Sequence, residues 1–358
     1  MDLVQWIKRA RSLPLTLHMI FCDIDRMFFD QRKSLAPVVS VLNDYATNWK
    51  TLYFQTPHEG SRMLGSLLPH LFCFDGWHSL RRICLGKSAA LLQNRTIPLA
   101  QLTHLEIYTQ TSYQEAMNVC RICSKLVQLS IFVLDPPYPV MATDCVTLRD
   151  LVTFSLKSYG SSAVLEGLSL PSLRDLHIGQ LYITDVRSLL AFFTRSSCTL
   201  DTLELHEWEF QPKHYLSFLA HKSCNLLTSL RICSAGRIAF DAEVLRRLTL
   251  HQHDSLCPHL KFLKIDCCVQ SSSSALLKMV ESRINPHADQ EQLQHFRFWI
   301  GFGHDIDIKE LDEFGEKNGM EYNRQWVGVN LELVSLWRFG SGFGTTDLRA
   351  SRRDNVYL

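Results

Sequence analysis

Cysteine and histidine are plentiful in this 358-residue chain, 12 and 15 copies, and their spacing decides what chemistry they can support. Cys120 and Cys123 form a C-x-x-C inside EAMNVCRIC, the spacing of a redox dithiol or of half a zinc site. No second pair stands at zinc-finger distance and no strand–helix–strand redox context precedes it. The two thiols therefore read as small apolar residues of a helix that face the neighbouring strands. The stretch HQHDSLCPH holds His251, His253, Cys257 and His259, all residue types that bind zinc. It falls in a helix-to-strand connection, where polar residues collect, and is not taken as a metal site. GFGHD from Gly301 and FGSGFG from Phe339 lack the spacing and context of a nucleotide-binding loop and read as turns. No G-x-S-x-G, H-E-x-x-H or G-K-[ST] segment occurs. The expectation is a non-enzyme with no catalytic, metal-binding or cofactor-binding residues.

The elements that carry these residues are set by a repeated phrase, L-x-x-L-x-L. It occurs as SLPLTL from Ser12, WKTLYF from Trp49, LRRICL from Leu80, LTHLEI from Leu102, LVQLSI from Leu126 and LVTFSL from Leu151. It continues as LRDLHI from Leu173, LDTLEL from Leu200, LTSLRI from Leu227, LKFLKI from Leu260 and LQHFRF from Leu293. Successive starts lie 37, 31, 22, 24, 25, 22, 27, 27, 33 and 33 residues apart. The middle values are those of a leucine-rich repeat. The fourth and sixth positions, such as Leu203 and Leu205, project from one face of an extended strand, and the residues between them project from the other. One repeat cannot bury its own apolar face, so stacking is required. The intervening segments read as helices. Val186, Leu189, Leu190 and Phe193 follow i, i+3, i+4, i+7 behind a Thr184-Asp185 cap, and Pro212 opens a helix with Tyr215, Phe218 and Leu219 along one stripe. Asp241, the serine run at 271–274 and Asp307 mark three more starts.

The predicted fold is an α/β leucine-rich-repeat solenoid, a horseshoe of about 11 repeats, with parallel strands on the concave face and helices on the convex face. Residues 1–335 form it, including an N-terminal capping helix with Leu3, Val4 and Ile7 and a capping strand in VGVNLELVSLW. Residues 336–358, rich in Gly, Ser and charge, read as a disordered tail.

The outward fifth positions stack as Tyr53, Cys84, Glu106, Ser130, Ser155, His177, Glu204, Arg231, Lys264 and Arg297. Three consecutive cations on neighbouring strands repel one another, and Glu204 and Asp266 offset part of that, an acidic partner the rest. The seventh positions add Tyr108, Phe132, His206 and Trp299 as aromatic anchors. The candidate surface for a protein or peptide ligand is thus Tyr108, Phe132, Glu204, His206, Arg231, Lys264, Arg297 and Trp299.

Composition narrows the class. A net charge of +1 argues against a general nucleic-acid surface, and no apolar run reaches membrane-spanning length. The first residues lack the apolar core of a secretory signal, and the cysteines are scattered rather than gathered in end caps. The expectation is an intracellular protein, cytoplasmic or nuclear, with reduced thiols. In that setting the sequon Asn94-Arg95-Thr96 carries no glycan.

The opening LVQWIKRARSLPLTLHM resembles the segment after the F-box in mushroom-type fungal F-box/leucine-rich-repeat proteins, and FFTRSSCTLDTLELHEWEF is similar to a recurrent repeat in that family. The resemblance spans Leu3 to about Leu333. It implies the substrate-recognition arm of a cullin-type ubiquitin ligase. The F-box itself has no counterpart here: after Leu13-Pro14, Thr16 stands where the acidic residue belongs and His18 breaks the apolar pair. A cullin-ligase adaptor is therefore an expected partner only if an F-box lies upstream.

Overall fold

A computed structural model describes Gln5 and residues 13–20, 40–55, 77–86, 97–134, 145–159, 163–181, 186–207, 210–250, 254–286, 292–300, 308–317 and 329–334. The N-terminal capping helix, Asn94, His251, His253, both glycine-rich segments and the predicted tail fall outside them. One 12-stranded sheet runs through the molecule. Its strands are β1 (Leu15–Ile20), β2 (Trp49–Gln55), β3 (Arg82–Leu85), β4 (His104–Ser112), β5 (Gln128–Leu134), β7 (Thr153–Tyr159) and β9 (Asp175–Leu181). They continue with β10 (Thr202–Glu207), β11 (Ser229–Asp241), β12 (Phe262–Gln270), β13 (His295–Ile300) and β14 (Val329–Val334). The strands lie side by side in chain order, all parallel except β14, which pairs antiparallel with β13. A two-stranded ladder, β6 (Val146–Thr147) with β8 (Leu168–Ser169), stands apart.

The phrase explains this order. Its fourth positions pair in one register from Leu52 and Ile83 through Leu105, Leu129, Phe154, Leu176, Leu203, Leu230 and Leu263 to Phe296. All ten are at most 2% exposed. Each is worth roughly 1.5–3 kcal/mol of burial, recovered only because the neighbouring strand continues the same face. Backbone hydrogen bonds repeat as faithfully: the second- and third-position N–H groups both donate to the second-position carbonyl of the preceding phrase. Val127 and Gln128 donate to Thr103, Val152 and Thr153 to Val127, and Thr228 and Ser229 to Asp201. Most phrases also begin with a turn in which the first leucine N–H donates to the residue three earlier, as Leu126 to Cys123, Leu227 to Cys224 and Leu260 to Cys257. Those three turn cysteines are buried.

The first copy corrects its predicted placement. Leu17, not Leu15, faces Leu52, and Met19 faces Phe54, after a bulge at Leu15/Thr16. The phrase was set two residues early, a slip that leaves its side chains on the correct faces because the strand period is two.

Seven helices are described: α1 (Tyr113–Ile122), α2 (Ala163–Glu166), α3 (Val186–Ser196), α4 (Pro212–Leu219), α5 (Ala242–Leu248), α6 (Ser273–Ile284) and α7 (Ile308–Lys317). Each packs on the next, and the buried residues of α1 to α6 share one hydrophobic cluster with the inward strand columns. Local signals set their starts. Ser112 and Glu115 form a reciprocal capping box, Asp241 accepts from the Glu243 and Val244 N–H groups, and Ser272 accepts from Ala275. Gly167 lets α1 approach closely: a Cβ there would stand 2.8 Å from Met117 Cε, so the methionine end would have to shift.

Helix C-termini are tied to their successors by two arginines. Arg195 at the end of α3 donates to the Leu165 and Leu168 carbonyls. Arg283 of α6, fully buried, donates to Leu248 at 2.6 Å, Leu256 at 2.8 Å and Cys257 at 3.0 Å. The Leu165 and Leu248 carbonyls are among those a helix end leaves unsatisfied, Leu256 and Cys257 belong to the turn before β12, and burial pushes the Arg283 guanidinium down to about 10. Among the described residues, no helix is long and apolar enough to cross a membrane.

Candidate functional site

The third, fifth and seventh positions of the phrases face away from the helices and form three parallel columns, while the first-position leucines are buried. The fifth-position column runs in unbroken register from Tyr53 through Cys84, Glu106, Ser130, Ser155, His177, Glu204, Arg231 and Lys264 to Arg297, with His18 opposite Tyr53 at its start. The third-position column contains Arg82, His104, Gln128, Asp175 and Phe262. The seventh contains Phe132, Lys157, Gly179, His206, Cys233 and Asp266.

Two polar clusters stand on this face, each built round a carboxylate. In the first, Glu106 Oε1 accepts from Arg82 Nη2 at 2.5 Å and Oε2 accepts from the Tyr108 hydroxyl at 2.8 Å. Arg82 lies 5.9 Å from the Tyr53 ring centre, and Tyr53 stacks on His18 at 4.3 Å. Burial works against the Glu106 charge, but the hydrogen bonds from Arg82 and Tyr108 outweigh it and hold the carboxyl below its usual range. Burial and Glu106 together push the Cys84 thiol up to about 11.

In the second, Glu204 Oε1 meets Arg231 Nη1 at 2.7 Å and His206 Nε2 at 2.8 Å, while Oε2 meets His177 Nδ1 at 3.0 Å. Burial again opposes ionisation, yet the two histidines and then Arg231 bring Glu204 well below the carboxylate range. His206 is held up at about 9, first by the Cys233 sulfur beside it and then by Glu204. Lys264 Nζ pairs with Asp266 Oδ2 at 3.0 Å, and Cys233 donates to the same oxygen at 3.4 Å.

The expected surface is thereby sorted. Glu204, His206 and Arg231 meet in one cluster, with Lys264 on the adjoining strand. Two of the three cations are already paired within the sheet face, Arg231 with Glu204 and Lys264 with Asp266. Tyr108 departs from its predicted column, because a bulge between Ile107 and Gln110 sets Gln110 opposite Phe132. Tyr108 is instead 52% exposed and serves the first cluster. Phe132 and His206 are separated by Lys157 and Gly179, so no continuous aromatic stripe forms. Arg297 joins the column by its backbone register with Lys264, whereas Trp299 faces Asn330 of β14 rather than Asp266. The side chains of both lie outside the described residues.

Arg82, Cys233, Asp266 and the 45% exposed Phe262 complete the face and were not among the candidates. Their signal was present in the sequence: Arg82 and Phe262 occupy third positions, and Cys233 and Asp266 seventh positions, of aligned phrases. Cys120 and Cys123 are buried and pushed up to about 12 by that burial. Cys257 is buried at a turn with a left-handed φ of 48°, and its carbonyl is used by Arg283. Among the described residues, no group of three or more His, Cys, Asp or Glu side chains is placed to hold a metal ion.

The site thus belongs to an α/β protein with one large, sequentially ordered parallel sheet that buries one face and presents a polar one. A scan against protein-family models finds no match, and no curated protein matches the chain.

Proposed function

We propose that this chain is a non-catalytic recognition module whose outward sheet face binds a protein or peptide. The carrying observation is the fifth-position column, which holds register across ten strands and offers ordered, partly desolvated polar groups over a long surface. Such a surface suits an extended ligand more than a small substrate. The finer fold reading, a leucine-rich-repeat horseshoe with this face concave, draws support from the phrase spacing and from the repeated backbone hydrogen bonds. The resemblance to mushroom-type F-box proteins makes the module a substrate-recognition arm of a ubiquitin ligase, working in the cytoplasm or nucleus. A scaffold with no ligase link is the second reading, favoured by the lack of an L-P-x-E motif after Leu13-Pro14.

The test is affinity capture with wild-type protein and with a Tyr108→Ala, Lys157→Glu variant. Both residues are exposed on the face, so folding should survive and recovery of specific partners should fall. Equal recovery by both proteins overturns the assignment of this face. Recovery of the cullin adaptor by full-length protein separates the ligase reading from the scaffold reading.

A further inference from the structure

We infer that the rim where β5 and β7 begin docks an acidic peptide segment that carries apolar side chains. This rim is separate from the outward face and does not rest on the recognition reading. Its backbone is an unbroken ladder of second-position residues. The Thr103 N–H donates to the Arg81 carbonyl, Val127 to Thr103, Val152 to Val127 and Arg174 to Val152, each at 2.8 or 2.9 Å. With strands about 4.8 Å apart, two arginines thus bracket three neutral residues. Ile122, the last residue of α1, is 49% exposed, and Val127 is 36% exposed beside the half-buried Val152. The turn closed by the Leu126 N–H on the Cys123 carbonyl connects Ile122 to Val127.

Single apolar side chains on a surface are ordinary; here they stand among cations. Arg121 and Lys125 flank that turn, and Arg149 occupies the turn before β7, all three exposed. Arg81, Arg121, Lys125, Arg149 and Arg174 meet two carboxylates on this rim, Asp150 and Asp201, a surplus of three in a chain whose whole net charge is +1. Asp175 lies on the outward face, where the Thr153 hydroxyl donates to it. Part of the positive charge serves the fold. Arg81 donates to the His78 and Leu80 carbonyls, Arg121 to Asn118, and Arg174 pairs with Asp201 at 3.7 Å. Lys125 and Arg149 make no side-chain hydrogen bond or ion pair among the described residues. A cationic ring round a small apolar centre is complementary to carboxylates set beside apolar anchors. A nucleic-acid backbone would instead need cations along its whole track, and Thr103, Val127 and Val152 interrupt that track.

The experiment uses the whole protein and a fluorescein-labelled peptide of glutamates with interspersed leucines, read by anisotropy at low salt. Binding should saturate and should weaken as added salt screens the cations. Lys125→Glu with Arg149→Glu should weaken it about tenfold or more, since repulsion replaces attraction at two positions. Ile122→Ser with Val127→Ser should weaken it by a smaller factor, as should serine in place of leucine in the peptide. The Tyr108→Ala, Lys157→Glu protein should bind the peptide as wild type does, which separates this rim from the outward face. Absence of saturable binding, equal binding by the Lys125→Glu, Arg149→Glu protein, or equal binding of the serine peptide overturns the inference. Tighter binding of phosphatidylserine vesicles or duplex DNA than of the peptide overturns it as well.

Discussion

The two carboxylate clusters share one scaffold and differ in how their charge is balanced. Glu106 and Glu204 occupy the same position of the same phrase, each with an arginine on an adjoining strand. Around Glu106 the remaining partners are the neutral Tyr108 hydroxyl and Cys84 thiol, so the cluster carries one anion and one permanent cation. Around Glu204 the remaining partners are His177 and His206, and the local charge depends on imidazole protonation. Between the clusters Ser130 and Ser155 interrupt the ladder with small neutral side chains. A repeating backbone thus fixes where outward groups stand, and single substitutions decide whether a patch keeps a constant charge or one that changes as His206 gives up its proton, at about 9.

The comparison can be broken or sharpened in several ways. The largest effects belong to the core the clusters share. Leu105→Ala and Leu203→Ala, both fully buried, should each cost about 2–5 kcal/mol in denaturant unfolding. A cost below about 0.5 kcal/mol at either site would mean that its region does not share the common core. Removing the central acids comes next. Glu106→Gln and Glu204→Gln should each cost about 1.5–3 kcal/mol, the range for hydrogen bonds to charged groups. Only Glu204→Gln should bring His206 down from about 9 toward its ordinary range, read by NMR titration; an unchanged His206 would detach the ring from the acid.

The pH dependence separates the clusters further. Both carboxyls are lowered on folding, so their stabilisation is present above the ordinary carboxylate range and is lost as pH falls through the folded values. His206 is raised, so its contribution is complete below its ordinary value of 6.5 and is lost as pH rises through about 9. His206→Asn should therefore lower the melting temperature at acid to neutral pH and be nearly silent at alkaline pH. Its size should stay under about 1 kcal/mol, since the ring is partly exposed. Arg82→Gln should cost the same at neutral and mildly alkaline pH. The smallest effect is Tyr108→Phe, about 0.5 kcal/mol, the low end for one hydroxyl hydrogen bond because the ring is half exposed; no measurable change would remove Tyr108 from the first cluster.

Much of this arrangement was legible beforehand, for a physical reason. A strand period of two and a phrase of fixed length determine which residues face the helices and which partners they meet on the next strand. The fifth-position column followed from alignment alone, and helix starts followed from Ser, Asp and Pro signals. The first copy was misplaced because Leu15, Leu17 and Met19 alternate equally well at two registers, and only pairing with Leu52 and Phe54 chooses between them. Tyr108 was misassigned because a bulge changes the partner count without leaving a pattern in the residues.

What the residues determined unaided is the order and facing of the strands, since burying two apolar columns in water leaves few other solutions. What tertiary structure alone decided is which outward charges touch. Whether Glu204 reaches two histidines and an arginine, and whether Cys233 lies against His206, depends on side-chain reach across strands about 4.8 Å apart, and no one-dimensional pattern records that.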